Sequence, residues 1–210
     1  MEQTTYPVQF SVDYPDRPLD RIKTAFRLVL IIPILFLLGL VEGSNFDFSS
    51  HGNTTTAAIS AGGVLVLPPL LMIVFRRKYP KWWFDWNLEL MRFENRVAVY
   101  FALMGDDYPS TTDTQTAHLE IPYPDAANDL NRWLPLVKWI LAIPHYIVLI
   151  ALFFASIFAV IGAWFAIVFT GRYPRGIFDF VEGVIRWQNR VAAYAFIMAT
   201  DEYPPFRLSA

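Results

Sequence analysis

The chain has 210 residues, 55% hydrophobic and 17% aromatic, with charged residues at 17%, below the quarter usual in a soluble domain. A formal net charge of -2 offers no electropositive surface for a nucleic acid, and the absence of cysteine excludes disulfides, thiolate nucleophiles, thiolate zinc sites and cysteine-ligated iron–sulfur clusters. The balance is that of a membrane protein.

In chain order, MEQTTYPVQFSVDYPD is polar and acidic and lacks the basic and apolar regions of a signal peptide. The alternation in residues 8–14 reads as a short strand, matched by a second at 117–123 and by FRL at 206–208, which predicts a small cytoplasmic β-sheet. Residues 22–41 form an apolar run long enough, at ~1.5 Å per residue, to cross a hydrocarbon core of ~30 Å. A polar loop at 42–56 carries the glycosylation pattern Asn53-Thr54-Thr55, and a second apolar run follows at 57–75. Residues 82–104 suit an amphipathic helix, and 110–117 read as a linker. The apolar run from Leu134 to Phe169 is divided into spans at 134–152 and 154–170, and 176–199 suits another amphipathic helix.

That division rests on an internal repeat. QFSVDYPD at 9–16 matches HLEIPYPD at 118–125, and RLVLIIP ending at Pro33 matches KWILAIP ending at Pro144. KYPKWWFDW and RYPRGIFDF follow, then ENRVAVY at 94–100 and QNRVAAY at 188–194, then DDYP and DEYP. The spacing of matching positions falls from 111 at the prolines to 94 at Asn95 and Asn189, so the first half holds an insertion, placed at the 42–56 loop. The predicted fold is therefore an all-α polytopic membrane protein of two tandem parallel repeats, residues 1–109 and 118–210. Each is a two-helix transmembrane hairpin followed by an interfacial helix.

Neither the 42–56 loop nor the turn near 153 contains a lysine or arginine, whereas both ends of each hairpin do. The positive-inside rule then puts both termini in the cytoplasm. Most of the ten tyrosines precede a proline, a pairing that ends helices and suits corners at the membrane interface.

On a helical wheel Asp85, Arg92 and Arg96 share a stripe continued by Tyr100, with Asn95 at its edge, and Asp179, Arg186, Arg190, Tyr194 and Asn189 repeat it. Two roles fit these ten residues. In the first the stripes pair across the repeats, Asp85 with Arg186 or Arg190 and Asp179 with Arg92 or Arg96. In the second the guanidiniums hold phospholipid headgroups.

His51, His118 and His145 form neither an HxxxH nor an HExxH pair, so no metal site is expected. His145 alone lies at membrane depth, where a haem or chlorophyll ligand is conceivable and a packing role is the simpler reading. Asp106-Asp107 and Asp201-Glu202 sit at helix ends without clustered ligands. No catalytic residue and no cofactor is assigned.

The repeated RYPRGIFDF, NRVAAYAF and YPPF motifs resemble an uncharacterised family of bacterial integral membrane proteins, a domain of unknown function, with 118–208 the stronger match and the first half a divergent copy bearing Trp82 where the second has Gly176. The resemblance implies a bacterial inner-membrane location and carries no activity. The expected function is a non-catalytic accessory or scaffolding subunit, with a membrane-protein partner or a homo-oligomer. The alternatives are a phospholipid-binding or membrane-organising protein and a small transporter or channel.

Overall fold

The structure, a computed structural model, describes residues 6–34, 61–111, 113 and 115–210. The 42–56 loop with its Asn53 pattern and the latter part of the first expected span lie outside the described residues.

Two strands form as the alternation predicts, β1 (Gln9–Val12) and β2 (Ala117–Glu120). They pair antiparallel, with Phe10 opposite Leu119. Phe10, Val12 and Leu119 are buried while their neighbours face out, as a pleat with one covered face requires. Residues 206–208 add no third strand: Leu208 packs instead over helix 175–192, where a Cβ on Gly183 would come within 2.8 Å of the Leu208 Cβ.

The helices are α1 (Arg21–Leu30), α2 (Ala61–Arg76), α3 (Lys81–Phe101), α4 (Pro135–Leu141), α5 (Ile143–Thr170) and α6 (Arg175–Ala192), the last running into a π-helical turn, Ala193–Ile197. Asp20 caps α1 by accepting from the amides of Ile22 and Lys23. Pro80 and Pro174 open α3 and α6 from extended geometry, and Pro68 and Pro69 lie inside α2. Gly171, at φ 75°, ends α5 in the left-handed conformation that glycine adopts without steric cost.

The polytopic two-hairpin fold is overturned. Where spans at 134–152 and 154–170 were expected, α5 is one continuous helix of 28 residues. The reason is local: Leu152, Phe153 and Phe154 offer neither glycine nor proline at the expected turn, so nothing interrupts the helical hydrogen bonds. Pro144 sits in the first turn of α5, where its missing N–H costs nothing, and the chain breaks at Ala142 between α4 and α5. Among the described residues α5 is the one helix long and apolar enough to cross a membrane.

The second amphipathic helix is also not interfacial. Phe178, Val181, Val184, Ile185, Trp187 and Val191 of α6 are buried, and the helix is the centre of the core. It runs back along α5, with Trp187 against His145 near the start of α5 and Ile177 against Gly162 towards its end. Its periodicity was that of a helix covered on several sides by β1, α5 and the C-terminal tail.

Candidate functional site: an amide bridge between two buried cations

Helices α3 and α6 meet through Asn95 and Asn189. Asn95 Nδ2 donates to Asn189 Oδ1 at 2.9 Å and Asn189 Nδ2 donates back to Asn95 Oδ1 at 2.7 Å. Each amide spends its second N–H on the carbonyl four residues earlier on its own helix, Met91 and Ile185. Both side chains are buried, so this closed ring satisfies every donor that the low-dielectric interior would otherwise penalise.

A buried cation stands on either side. Arg27, 1% exposed, places Nη2 2.7 Å from Asp106 Oδ1, donates to the carbonyls of Tyr100 and Gly105, and lies over the Tyr100 ring at 4.3 Å. Lys138, fully buried, places Nζ 2.7 Å from Asp201 Oδ1, donates to the Thr200 carbonyl and lies 5.1 Å from the Tyr194 ring centre. The second oxygen of each carboxylate accepts a backbone N–H at a helix entry, Asp20 for Asp106 and Asn131 for Asp201. Each cation thus has a carboxylate, a carbonyl and an aromatic face, which offsets the cost of removing the charge from water. Burial still pulls the Lys138 ammonium below the usual lysine range, partly opposed by Asp201.

The two arrangements are reached by chains of different length. Asn95 and Asp106 are separated by one residue fewer than Asn189 and Asp201. The π turn at 193–197 takes up the additional residue, since a π turn is an α-helix widened by one position. Beyond it both chains reverse at a left-handed residue, Leu103 at φ 65° and Met198 at φ 59°. Tyr79 then donates to the Ile197 carbonyl, and Tyr173 to that of Ala102.

The predicted stripe residues split into several groups. Asp85 pairs with Lys81 and Asp179 with Arg175, each at 3.1 Å and on its own helix, so the expected pairings of Asp85 with Arg186 or Arg190 and of Asp179 with Arg92 or Arg96 are absent among the described residues. Intrahelical spacing of four residues explains the difference: a partner one turn away is reached before one on another helix. Arg92 bonds Glu89 and the Leu119 carbonyl; Arg186 bonds Glu182 and the carbonyls of Phe10 and Leu208. Phe10 and Leu119 face each other in the ladder, so the two guanidiniums take one carbonyl on each outer edge of a sheet that has no further strand among the described residues. Arg96 donates to Ser110, and Arg190 to the carbonyls of Arg207 and Ser209, fastening the chain after each helix. Tyr100 and Tyr194 are buried against the cations.

His145 also lies in the core, stacked on Phe206 at 4.0 Å between ring centres. The Trp187 indole donates to His145 Nδ1 at 3.0 Å. An indole only donates, so Nδ1 accepts and the neutral ring carries its proton on Nε2. The lone pair a haem or chlorophyll iron or magnesium would need is already engaged, and His145 acts as a packing residue.

Sequence reasoning discounted Asp106 and Asp201 as helix-end residues and took Arg27 and Lys138 only as charges flanking the spans. The signal was present: Arg27 and Lys138 occupy the same place in RLVLIIP and KWILAIP, and Asp106 and Asp201 the same place in the two acidic Tyr-Pro motifs.

Residues 133–207 match a protein family described as a domain of unknown function, DUF4389. The matched segment contains α4, α5, α6, the π turn, Lys138, Asn189 and Asp201. No curated protein and no solved structure matches the chain significantly.

Proposed function

We propose that the protein is a non-catalytic accessory or scaffolding subunit of a larger assembly in the bacterial inner membrane, held in the bilayer by α5. The observation that carries this reading is the direction in which the side chains face. Lys138, Arg27 and Arg190 are turned inward onto carboxylates, carbonyls and aromatic rings, while Phe158 and Phe169 of α5 are each 74% exposed. Apolar surface of that extent suits a bilayer or another membrane helix, and charge directed inward suits a rigid support. Phospholipid binding by the arginine stripes is the weaker reading, because backbone carbonyls already occupy Arg186, Arg190 and Arg96.

The same reading includes tandem duplication of one unit, divided near residues 110–117. Its support is the matched set of contacts around the amide bridge. Arg172 and Arg175 after α5 favour a cytoplasmic side for that end of the helix; Lys138, before α5, is neutralised by Asp201.

Native mass spectrometry of the protein extracted in mild detergent from its own membrane tests the proposal. A stoichiometric second protein is the expected result. A lone chain or homo-oligomer under conditions that keep other complexes intact would reject the subunit reading.

A further inference from the structure

Two clefts flank the amide bridge, of about 720 and 650 Å³, within the range of ~300–1,000 Å³ typical of small-molecule sites. Ala98, Ile185 and Gln188 stand between them and line both. The walls correspond position for position: Val66, Leu70, Leu90 and Met91 border the larger cleft, and Val160, Trp164, Val184 and Ile185, each 94 residues later, border the smaller. They differ at one end. The smaller cleft has Thr24, and the larger has Pro135 at the position 111 residues on.

We propose that the smaller cleft binds one ester-linked acyl chain of a membrane phospholipid, with the hydroxyl of Thr24 donating to the ester carbonyl. The proposal rests on the reading that α5 lies in a bilayer.

Three observations select this occupant. Phe153, Ile157, Ile161 and Phe165 of α5 line the cleft and are themselves exposed, so a hydrocarbon chain enters from the surrounding acyl region without crossing water. Arg27, the one charged residue among the described residues bordering the cleft, gives Nη2 to Asp106 and Nη1 to two carbonyls, so its charge is already neutralised and only a buried Nε–H is left for a phosphate headgroup. Thr24 Oγ1 and Ser156 Oγ are buried without a hydrogen-bond partner, and Thr24 is only 1% exposed. Both line the cleft. Buried hydroxyls without partners are costly, and the apolar side chains of a docking helix would leave them so. An ester oxygen on an otherwise apolar chain satisfies that of Thr24. The Trp164 indole donates to the Thr24 carbonyl at 3.2 Å, which fixes the wall beside the hydroxyl.

The test uses the full chain reconstituted in phosphatidylcholine vesicles doped with a phosphatidylcholine whose acyl chain carries a photoactivatable diazirine, with adducts located by peptide mass spectrometry. Expected adducts fall on Val160, Trp164 and Val184 inside the cleft and on Phe158 and Phe169 outside it. The substitution Thr24→Val, which preserves shape, should lower cleft adducts about fivefold, the equivalent of one ordinary hydrogen bond, and leave the outer adducts unchanged. Labelling confined to Phe158 and Phe169, cleft labelling indifferent to Thr24→Val, or cleft labelling by a photoactivatable free fatty acid alone would each overturn the proposal while leaving α5 in the bilayer. Absence of adducts on Phe158 and Phe169 as well would overturn the membrane reading itself.

Discussion

Asn95 and Asn189, separated by 94 residues, bond to each other through both amides at 2.9 and 2.7 Å in the buried seam between α3 and α6. The reciprocity makes the pair a position-sensing contact: sliding either helix by one residue breaks both bonds at once. Asn95→Ala strands one donor and the acceptor of Asn189 in the core, an expected loss of about 1–3 kcal/mol. The double variant with Asn189→Ala should cost less than the sum of the singles, since the second substitution removes the stranded group. A double-mutant cycle by thermal unfolding in detergent measures the coupling, expected at about 0.5–3 kcal/mol; additive single effects would mean that the ring does not lock the seam.

Lys138 gives a pH signature. Burial lowers its folded pKa, while the unfolded chain titrates near the ordinary value of about 10.4. Between the two the unfolded state binds more protons, so folding stability rises with pH through that interval and falls back as pH drops to the folded pKa. Lys138→Arg keeps the charge at all these values, as Arg27 does beside Asp106, and should remove the rise. Melting temperatures of the two proteins from pH 8 to 10.5, values chosen to lie about that ordinary lysine pKa, make the comparison, with tyrosine titration common to both. Parallel curves would show that Lys138 does not titrate there. Asp201→Asn leaves the ammonium without its carboxylate and is expected to cost about 3 kcal/mol or more.

Several features were legible from residues because they depend on local pattern. Alternation in QFSV and AHLE gave the strands, and the doubled NRVAxY phrase marked the two helices that meet at Asn95 and Asn189. Long-range commitments were not legible. Helical periodicity put Asp85 and Arg92 on one stripe but could not say that Lys81 would claim Asp85, or that Arg186 would turn to the edge of the sheet. The internal repeat, applied to an apolar run of that length, divided 134–169 wrongly, since a run too long for a level span can also be one long helix preceded by a short one. The cations were passed over because lysine and arginine near an apolar run look like interface residues; only Asp106 and Asp201, dozens of residues away, turn them into core.

Gly183 tests how tightly the tail is fastened. An added Cβ would lie 2.8 Å from the Leu208 Cβ and 3.1 Å from its carbonyl oxygen, and that carbonyl accepts from Arg186. Gly183→Ala must therefore push the tail away, at an expected cost of about 1–3 kcal/mol despite the better helix propensity of alanine. Limited proteolysis should then release the C-terminal residues sooner than in the parent protein; equal rates and an unchanged melting point would show that the tail gives way freely.

The native chain contains no cysteine, so a single introduced thiol reports without background. Gly176→Cys, at an exposed position where an added Cβ meets nothing, should resist a membrane-impermeant maleimide in intact spheroplasts and react after permeabilisation if the end of α5 that bears Arg172 and Arg175 is cytoplasmic. Full reaction before permeabilisation would put it on the opposite side and remove the charge-based orientation.

The proposed tandem duplication makes an asymmetric prediction about length. Deleting Ala195 from the π turn shortens the path from Asn189 to Asp201 to that from Asn95 to Asp106, and places Phe196, Met198 and Asp201 in the positions that Phe101, Leu103 and Asp106 take after Tyr100. The shortened chain should continue as an ordinary α-helix, keep Asp201 beside Lys138 and lose little stability. Deleting Ala98 shortens a path with no such residue to spare. It rotates everything after it by about 100°, carrying Asp106 away from Arg27, and should cost about 3–5 kcal/mol, the penalty for breaking a buried pair. Thermal melts and helix content of the two deletions decide the matter. Equal damage from both would mean that the π turn is required for its own geometry and that the halves do not share one underlying length.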